Sequence, residues 1–98
     1  MSLDEMDKLR QQIDALDRQL VDMLNDRAKL ANKIGEVKKT LALPVYNPKR
    51  ETEVMQNVMN HSKGPMEPAA IKRLFERIID ETRRLEREHM EKSGDHPA

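Results

Sequence analysis

Apolar residues recur along the first part of the chain at alternating steps of three and four. The series is Met6, Leu9, Ile13, Leu16, Leu20, Met23, Leu30, Ile34, Val37 and Leu41. This spacing is typical of the buried face of a long packed α-helix. One member is missing between Met23 and Leu30, and Arg27 occupies its place. Because an unpaired buried guanidinium is very costly, we expect Arg27 to pair with a protein carboxylate or to bind an anionic ligand.

The first predicted helix runs from about Leu3 to about Thr40, and only Gly35 weakens it. A glycine costs about 1 kcal/mol in a helix interior, and its usual compensation is the close approach of another backbone or a ligand. Such a helix is roughly 55 Å long, whereas a compact monomer of this size has a radius of gyration of about 13 Å. Its apolar face would lie uncovered in a monomer, so we predict a symmetric homodimer.

Two shorter helices follow. Asn47 and Pro48 suit the N-cap and the first position of a second helix that ends near His61. Pro68 opens a third, which runs to about Glu91. No segment alternates as a strand would. The predicted fold is all-α, with one very long, one short and one medium helix in a domain at 6–91. Residues 1–5 are expected to be flexible, and 92–98 form a disordered tail.

Composition excludes several functional classes. The 98 residues carry 18 basic and 18 acidic side chains, and this zero net charge argues against a general nucleic-acid binder. The chain has no cysteine, so disulfides and thiol chemistry are excluded. No apolar run approaches the roughly 20 residues of a membrane span, and no signal peptide is visible. We therefore expect a cytoplasmic protein. The three histidines have no metal-ligand spacing.

Four polar groups interrupt the apolar faces of the predicted helices, namely Arg27, Lys38, Thr82 and Glu86. Lys38 lies about three turns after Arg27 and points the same way. Thr82 and Glu86 are four residues apart, so they lie on one face of the third helix. One interpretation is an ion pair of Glu86 with Arg27 or Lys38 in the core. The other is a pocket for a small anion.

Further charged residues border these faces. Arg10 lies about 25 Å along the helix from Arg27, so both could reach one ligand only if Arg10 came from a second, antiparallel copy. Arg50 is a basic residue in the first turn of the second helix, which is mildly unfavourable for the helix dipole and makes it a candidate. We expect the remaining charges of the third helix to be solvated, with the pairs Arg77–Glu81 and Arg84–Glu88; they are Arg73, Arg77, Glu81, Arg83, Arg84, Arg87 and Glu88.

Several spaced motifs occur in a fixed order over about residues 6–90. They are Leu9-Arg10-x-x-Ile13-Asp14-x-Leu16-Asp17, Leu24-x-x-Arg27-x-x-Leu30-Ala31-x-x-Ile34-Gly35-x-x-Lys38, Pro44-Val45-Tyr46-Asn47-Pro48-x-Arg50-Glu51, and Ile71-x-x-Leu74-Phe75-x-x-Ile78-Ile79 before Thr82 and Glu86. Together they resemble the all-α chorismate mutases. The Pro-Val-Tyr-Asn-Pro and Lys-Gly-Pro segments look most like the mutase domains that are fused to DAHP synthase in some bacteria.

The resemblance implies an intertwined homodimer that converts chorismate to prephenate in phenylalanine and tyrosine biosynthesis. The reaction is an intramolecular Claisen rearrangement without a cofactor, a metal or a covalent intermediate. The enzyme must hold a dianion in a compact, chair-like geometry and stabilise charge on the breaking ether oxygen. The expected ligand is chorismate, and association with a separate DAHP synthase is a further expectation.

The same resemblance implies roles for individual residues. Arg27 and Arg10 of a second copy would hold the two carboxylates, and Lys38 would donate to the ether oxygen and a carboxylate. Glu51 would accept from the ring hydroxyl, with Arg50 ordering the site nearby. The remaining substrate contacts would come from the Thr82 hydroxyl, where many members carry serine, and from Asn47, where many carry aspartate and the contact is partly through the backbone.

Glu86 stands where some members carry glutamine, whose amide can donate to the ether oxygen at any pH. A carboxylate cannot donate a hydrogen bond, whereas a protonated carboxyl can. We therefore expect activity to rise as pH falls.

Two other functions fit the same features. Isochorismate pyruvate lyase is a related reaction that also needs an anion pocket and a lysine near an ether oxygen. A non-catalytic helical dimer that regulates a shikimate-pathway enzyme is the third possibility. The presence of Arg10, Arg27, Lys38 and Glu51 together argues against an inactive site.

Overall fold

The computed structural model describes residues 2–94, with side chains described through residue 91. It contains three α-helices in the order α1 (Leu3–Thr40), α2 (Pro48–His61) and α3 (Pro68–Gly94). No strand occurs among these residues, which confirms the all-α prediction. The bounds of α1 and α2 are those predicted. α3 continues three residues past the expected Glu91, so the first residues of the predicted tail are helical, and 95–98 lie outside the described residues.

The start of α1 has a conventional cap. The Ser2 hydroxyl oxygen accepts from the backbone N–H of Glu5 at 3.1 Å. Asp4 and Glu5 lie in the first turn, where acidic side chains complement the partial positive charge of the helix N-terminus. Part of the segment that was expected to be flexible is therefore helical.

The end of α1 is a Schellman turn without its usual glycine. The backbone N–H of Leu43 donates to the Lys38 carbonyl at 2.7 Å, and that of Ala42 donates to the Lys39 carbonyl at 3.2 Å. Ala42 has φ 56°, the left-handed conformation that this turn requires. The turn reverses the chain immediately after Lys38 and directs the next residues back toward it.

The start of α2 follows the sequence prediction. The Asn47 side chain accepts from the backbone N–H of Arg50 at 3.1 Å, and Pro48 occupies the first helical position. Between α2 and α3 the chain turns at Gly64, whose φ of 93° is readily adopted only by glycine.

The described chain divides into two compact units between Leu30 and Ala31, within the continuous helix α1. In the second unit α2 packs against α3, and the buried apolar residues are Ala31 and Ile79. Gly35 faces Glu86: a β-carbon added there would lie 4.0 Å from the Glu86 Cα and 3.8 Å from its Cγ. The nearest neighbour of Gly35 is thus the Glu86 side chain at ordinary contact distance, and there is room for a methyl group, so the expected close backbone approach is not what requires glycine here. His89 Nε2 lies 3.0 Å from Glu36 Oε1, and this contact also joins α1 and α3.

In the first unit the apolar face of α1 is exposed. The fractions range from 38% for Met6 to 60% for Leu30, and Leu9, Ile13, Leu16, Leu20 and Met23 fall between them. None of the described helices combines the length and apolar character of a membrane span. Within the described residues no cluster of three or more histidine, aspartate and glutamate side chains could hold a metal ion.

Candidate functional site

Lys38 and Glu86 form an ion pair between the last turn of α1 and the middle of α3. Lys38 Nζ lies 3.4 Å from Glu86 Oε2, and the two side chains are 16% and 9% exposed. The sequence left open an ion pair of Glu86 with Arg27 or with Lys38, and the structure has it with Lys38. Because the carboxylate is nearly buried, its charge depends on this ammonium group for compensation.

The second acceptor of Lys38 comes from the segment that follows α1. Lys38 Nζ donates to the Val45 carbonyl at 2.9 Å. The Schellman turn at Ala42 makes this contact possible, because it folds the chain back beside the last turn of the helix. An ammonium group has three N–H donors. Val45 and Glu86 use two of them, so one can still donate to the oxygen of a bound ligand.

Thr82 lies one turn before Glu86 on α3. Its hydroxyl donates to the Ile78 carbonyl at 2.7 Å, and the side chain is half-buried. The hydroxyl proton is therefore directed to the helix backbone in this state. To donate to a carboxylate, as the resemblance implies, the hydroxyl would have to rotate away from Ile78.

Glu51 is bound by Arg83, which was not among the candidate site residues predicted from the sequence. Arg83 Nε donates to Glu51 Oε2 at 3.1 Å, and Nη2 donates to Oε1 at 2.7 Å. Each side chain is 28% exposed. The expectation that Arg83 is solvated was wrong, because the first turn of α2 packs beside it. The sequence could have indicated this contact, because Arg83 lies four residues after the apolar Ile79 and so borders the inward face of α3.

Tyr46 completes this group. The Arg83 guanidinium carbon lies 4.9 Å from the centroid of the Tyr46 ring, which is within cation–π distance. The hydrogen bonds to Glu51 raise the pKa of Arg83, with further contributions from the charges of Glu51 and Asp80. Arg83 therefore joins the α1–α2 connection, α2 and α3. The other predicted pairs of α3 are confirmed, since Arg77–Glu81 and Arg84–Glu88 lie at 2.8 and 3.1 Å.

The remaining candidates of the second unit lie at the start of α2. Asn47 uses its side-chain oxygen as the N-cap. Arg50 is exposed, and its Nη1 lies 3.5 Å from Glu53 Oε2. An open groove between α2 and α3 includes Glu51, Met55 and Ile79 among its lining residues. Neither Lys38 nor Glu86 lines that groove.

Arg10 and Arg27 belong to the first unit. Arg10 is exposed on α1. Arg27 is half-buried, and it already interacts with another group of the protein. The structure of one chain thus brings Lys38, Glu86 and Val45 together, and separately Glu51, Arg83 and Tyr46. The two groups are connected through the adjacent residues Val45 and Tyr46.

This arrangement suits the recognition of a small anion with hydroxyl groups. Lys38 supplies a held ammonium donor beside a carboxyl group, and Glu51 supplies an acceptor whose orientation Arg83 restricts. A cation and oriented acceptors can position a ligand and stabilise charge that develops on an oxygen.

Comparison with known proteins gives a family match and close relatives. The family described as chorismate mutase type II matches residues 9–87. A bifunctional chorismate mutase/prephenate dehydratase of Aquifex aeolicus is 34% identical over an alignment of 89 residues, and the match covers 87% of this chain and 25% of the relative. The chain therefore spans about a quarter of that protein.

A 4-amino-4-deoxychorismate mutase of Streptomyces pristinaespiralis is 34% identical over an alignment of 92 residues, and the match covers 93% of this chain and 71% of the relative. Among solved structures, chorismate mutase from Helicobacter pylori in complex with prephenate superposes with a TM-score of 0.83 at 26% identity. That match covers 90% of this chain and 96% of the other.

Proposed function

The chain belongs to the chorismate mutase type II family, and we propose that it catalyses the rearrangement of chorismate to prephenate. The observation that carries this proposal is the position of Lys38, whose ammonium group is held by Val45 and Glu86 with one donor left for a ligand oxygen. The related Helicobacter pylori enzyme was solved with prephenate, the product of this reaction.

In the proposed mechanism the enzyme acts by binding and electrostatics. The substrate breaks one carbon–oxygen bond and forms one carbon–carbon bond within the same molecule, so no group is transferred to the protein. Lys38 donates to the ether oxygen, on which negative charge develops as the bond breaks. Glu86, in its protonated form, donates to the same oxygen. The pair therefore stabilises the transition state more than the ground state.

The remaining candidates bind the substrate. Arg27 and Arg10 of a second copy hold the two carboxylates, for which the fixed fork of guanidinium donors is well suited. Glu51 accepts from the ring hydroxyl. The family resemblance implies further contacts with the substrate from the Thr82 hydroxyl and from Asn47, partly through its backbone. Arg50 orders the site nearby. Because the reaction is unimolecular, holding the chair-like conformer supplies much of the rate enhancement.

We also propose that the active form is a homodimer in the cytoplasm. The apolar face of α1 supports the homodimer, since the apolar residues of its series from Met6 to Leu30 are 38–60% exposed in the single chain. A second copy that covers this face would bury the series and deliver its own Arg10. Burial of a continuous apolar helix face is the usual driving force for such association.

Association with DAHP synthase is a separate proposal. It is supported by the Pro44–Pro48 and Lys63–Pro65 segments, which resemble mutase domains fused to that enzyme. The Aquifex aeolicus relative instead combines a mutase with a prephenate dehydratase. Gel filtration of this protein mixed with a purified DAHP synthase from the same source tests it: co-elution supports the association, and independent elution of both contradicts it.

The test of the catalytic proposal measures the loss of chorismate absorbance and identifies the product. We expect prephenate from the wild type and a loss of at least about a hundredfold in kcat/KM for Arg27→Ala. Arg18→Ala, on the same helix but outside the apolar series, is the matched control and should retain activity. Isochorismate is tested in parallel: pyruvate and salicylate as the only products would favour the lyase. A folded dimer that converts neither substrate would favour the regulatory function.

A further inference from the structure

Arg83 and Glu51 form a bidentate ion pair, whereas an ordinary salt bridge needs only one close contact between nitrogen and oxygen. Two parallel hydrogen bonds, Nε to Oε2 at 3.1 Å and Nη2 to Oε1 at 2.7 Å, engage both oxygens of the carboxylate. Such fork-shaped pairing restricts the rotation of the carboxylate about its last bond as well as its position. Glu51 therefore has a defined orientation before any ligand binds.

The guanidinium is itself held in place. Tyr46 lies against it, with 4.9 Å between the ring centroid and Cζ, and Asp80 Oδ1 lies 3.7 Å from Nη2. Arg83 is 28% exposed, which is much less than the neighbouring Arg84, at 65%. The contact with the Tyr46 ring and the ion pairs with Glu51 and Asp80 leave the Arg83 side chain few alternative rotamers.

The pairing changes what Glu51 can recognise. Each carboxylate oxygen has two lone pairs, and Arg83 uses one on each. The remaining lone pairs can accept a hydrogen bond from a neutral hydroxyl. The adjacent guanidinium also offsets part of the carboxylate charge, so a cationic group at the same position would be attracted less strongly than by a Glu51 without its arginine.

We propose that Arg83 is a positioning and specificity-determining residue: it orients Glu51 and makes the site select a ring hydroxyl over a protonated ring amine. The inference rests on the proposed function, in which Glu51 accepts from the ring hydroxyl of chorismate. The two ligands to compare are chorismate and 4-amino-4-deoxychorismate, in which an amine replaces that hydroxyl.

The experiment measures kcat/KM for both compounds with the wild type and with Arg83→Met, Arg83→Lys, Glu51→Gln and the double variant Arg83→Met/Glu51→Gln. It is run near pH 6, where an aliphatic amine is protonated. Where the amine is not converted, its inhibition constant against chorismate supplies the comparison. Arg84→Met is the control, since its exposed pair with Glu88 is on the same helix and next in sequence.

For Arg83→Met we expect about a tenfold lower kcat/KM for chorismate and a fall of about fivefold or more in the preference for chorismate over the amine. Arg83→Lys keeps the charge but loses the fork, so its preference should stay near that of the wild type while its kcat/KM falls. In the Glu51→Gln background, Arg83→Met should have less than about a twofold further effect, because Arg83 acts through Glu51.

Equal losses for both compounds in Arg83→Met, with a lowered Tm, would mean that Arg83 is only a connection between helices and would overturn the inference. Effects of Arg83→Met that multiply with those of Glu51→Gln would overturn it as well. These outcomes differ from failure of the proposed function, in which the wild type makes no prephenate or Glu51→Gln leaves chorismate turnover unchanged; either result would remove the basis of this inference.

Discussion

The ammonium nitrogen of Lys38 lies between two oxygens, 2.9 Å from the Val45 carbonyl and 3.4 Å from Glu86 Oε2. The longer distance is to the carboxylate, although that is the charged partner. Lys38 therefore joins the segment after α1 to α3 through one backbone and one side-chain acceptor. Its third N–H donor is left for the oxygen of a ligand.

Glu86→Gln is expected to remove most of the pH dependence of catalysis. In the wild type only the protonated carboxyl can donate to the ether oxygen, so kcat/KM should rise as pH is lowered from about 8 to about 5. The amide of glutamine donates at every pH in this range. Steady-state rates with chorismate across the range provide the measurement. A Glu86→Gln profile that parallels the wild type would exclude the proposed role of Glu86.

Lys38→Met is expected to destabilise the fold by about 3 kcal/mol near neutral pH. The substitution leaves the Glu86 carboxylate nearly buried without its cation, and the Val45 carbonyl without its donor. Protonation of Glu86 removes the uncompensated charge, so the difference from the wild type should shrink as pH falls.

Urea unfolding near pH 7 and near pH 5 measures this difference. Lys39→Met is the control, because Lys39 is an exposed neighbour on the same turn. A destabilisation by Lys38→Met that is equal at both pH values would indicate that loss of packing, and not the buried charge, is responsible.

Ala42→Gly is expected to stabilise the protein by about 0.5–1 kcal/mol. Ala42 has φ 56° in the turn that ends α1, a conformation that costs a residue with a β-carbon but not glycine. The midpoint of urea unfolding should therefore rise. Ala15→Gly, within α1, is the opposite control and should lose about 1 kcal/mol. If both substitutions destabilise equally, the left-handed conformation at Ala42 carries no cost.

A mixed dimer is expected to recover activity from two inactive variants. If each site combines Arg27 of one copy with Arg10 of the other, a dimer of one Arg10→Ala chain and one Arg27→Ala chain contains one native site and one doubly altered site. Dimers purified through two different affinity tags should then have about half the wild-type activity. If both arginines act within one chain, every site in the mixed dimer is altered and activity stays at the level of the single variants.

Most of the fold could be predicted from the sequence. The three-four apolar spacing identified α1, and Asn47-Pro48 identified the start of α2, because helix periodicity and caps depend on neighbouring residues. Polar residues in apolar series also pointed to Lys38 and Glu86. The end of α3 was predicted at about Glu91, whereas the helix is described through Gly94. Gly94 and Pro97, residue types that often end a helix, follow the predicted position in the sequence.

The sequence by itself determined the helices, their inward faces and the charged residues that interrupt those faces, all of which follow from local spacing. Only the tertiary structure decided which charges meet. Glu86 pairs with Lys38 across 48 positions, and Glu51 pairs with Arg83 across 32. Such partners depend on how α2 and the end of α1 pack against α3. Many carboxylates are available to an arginine on a charged helix, so the partner of Arg83 was decided by proximity in the folded chain.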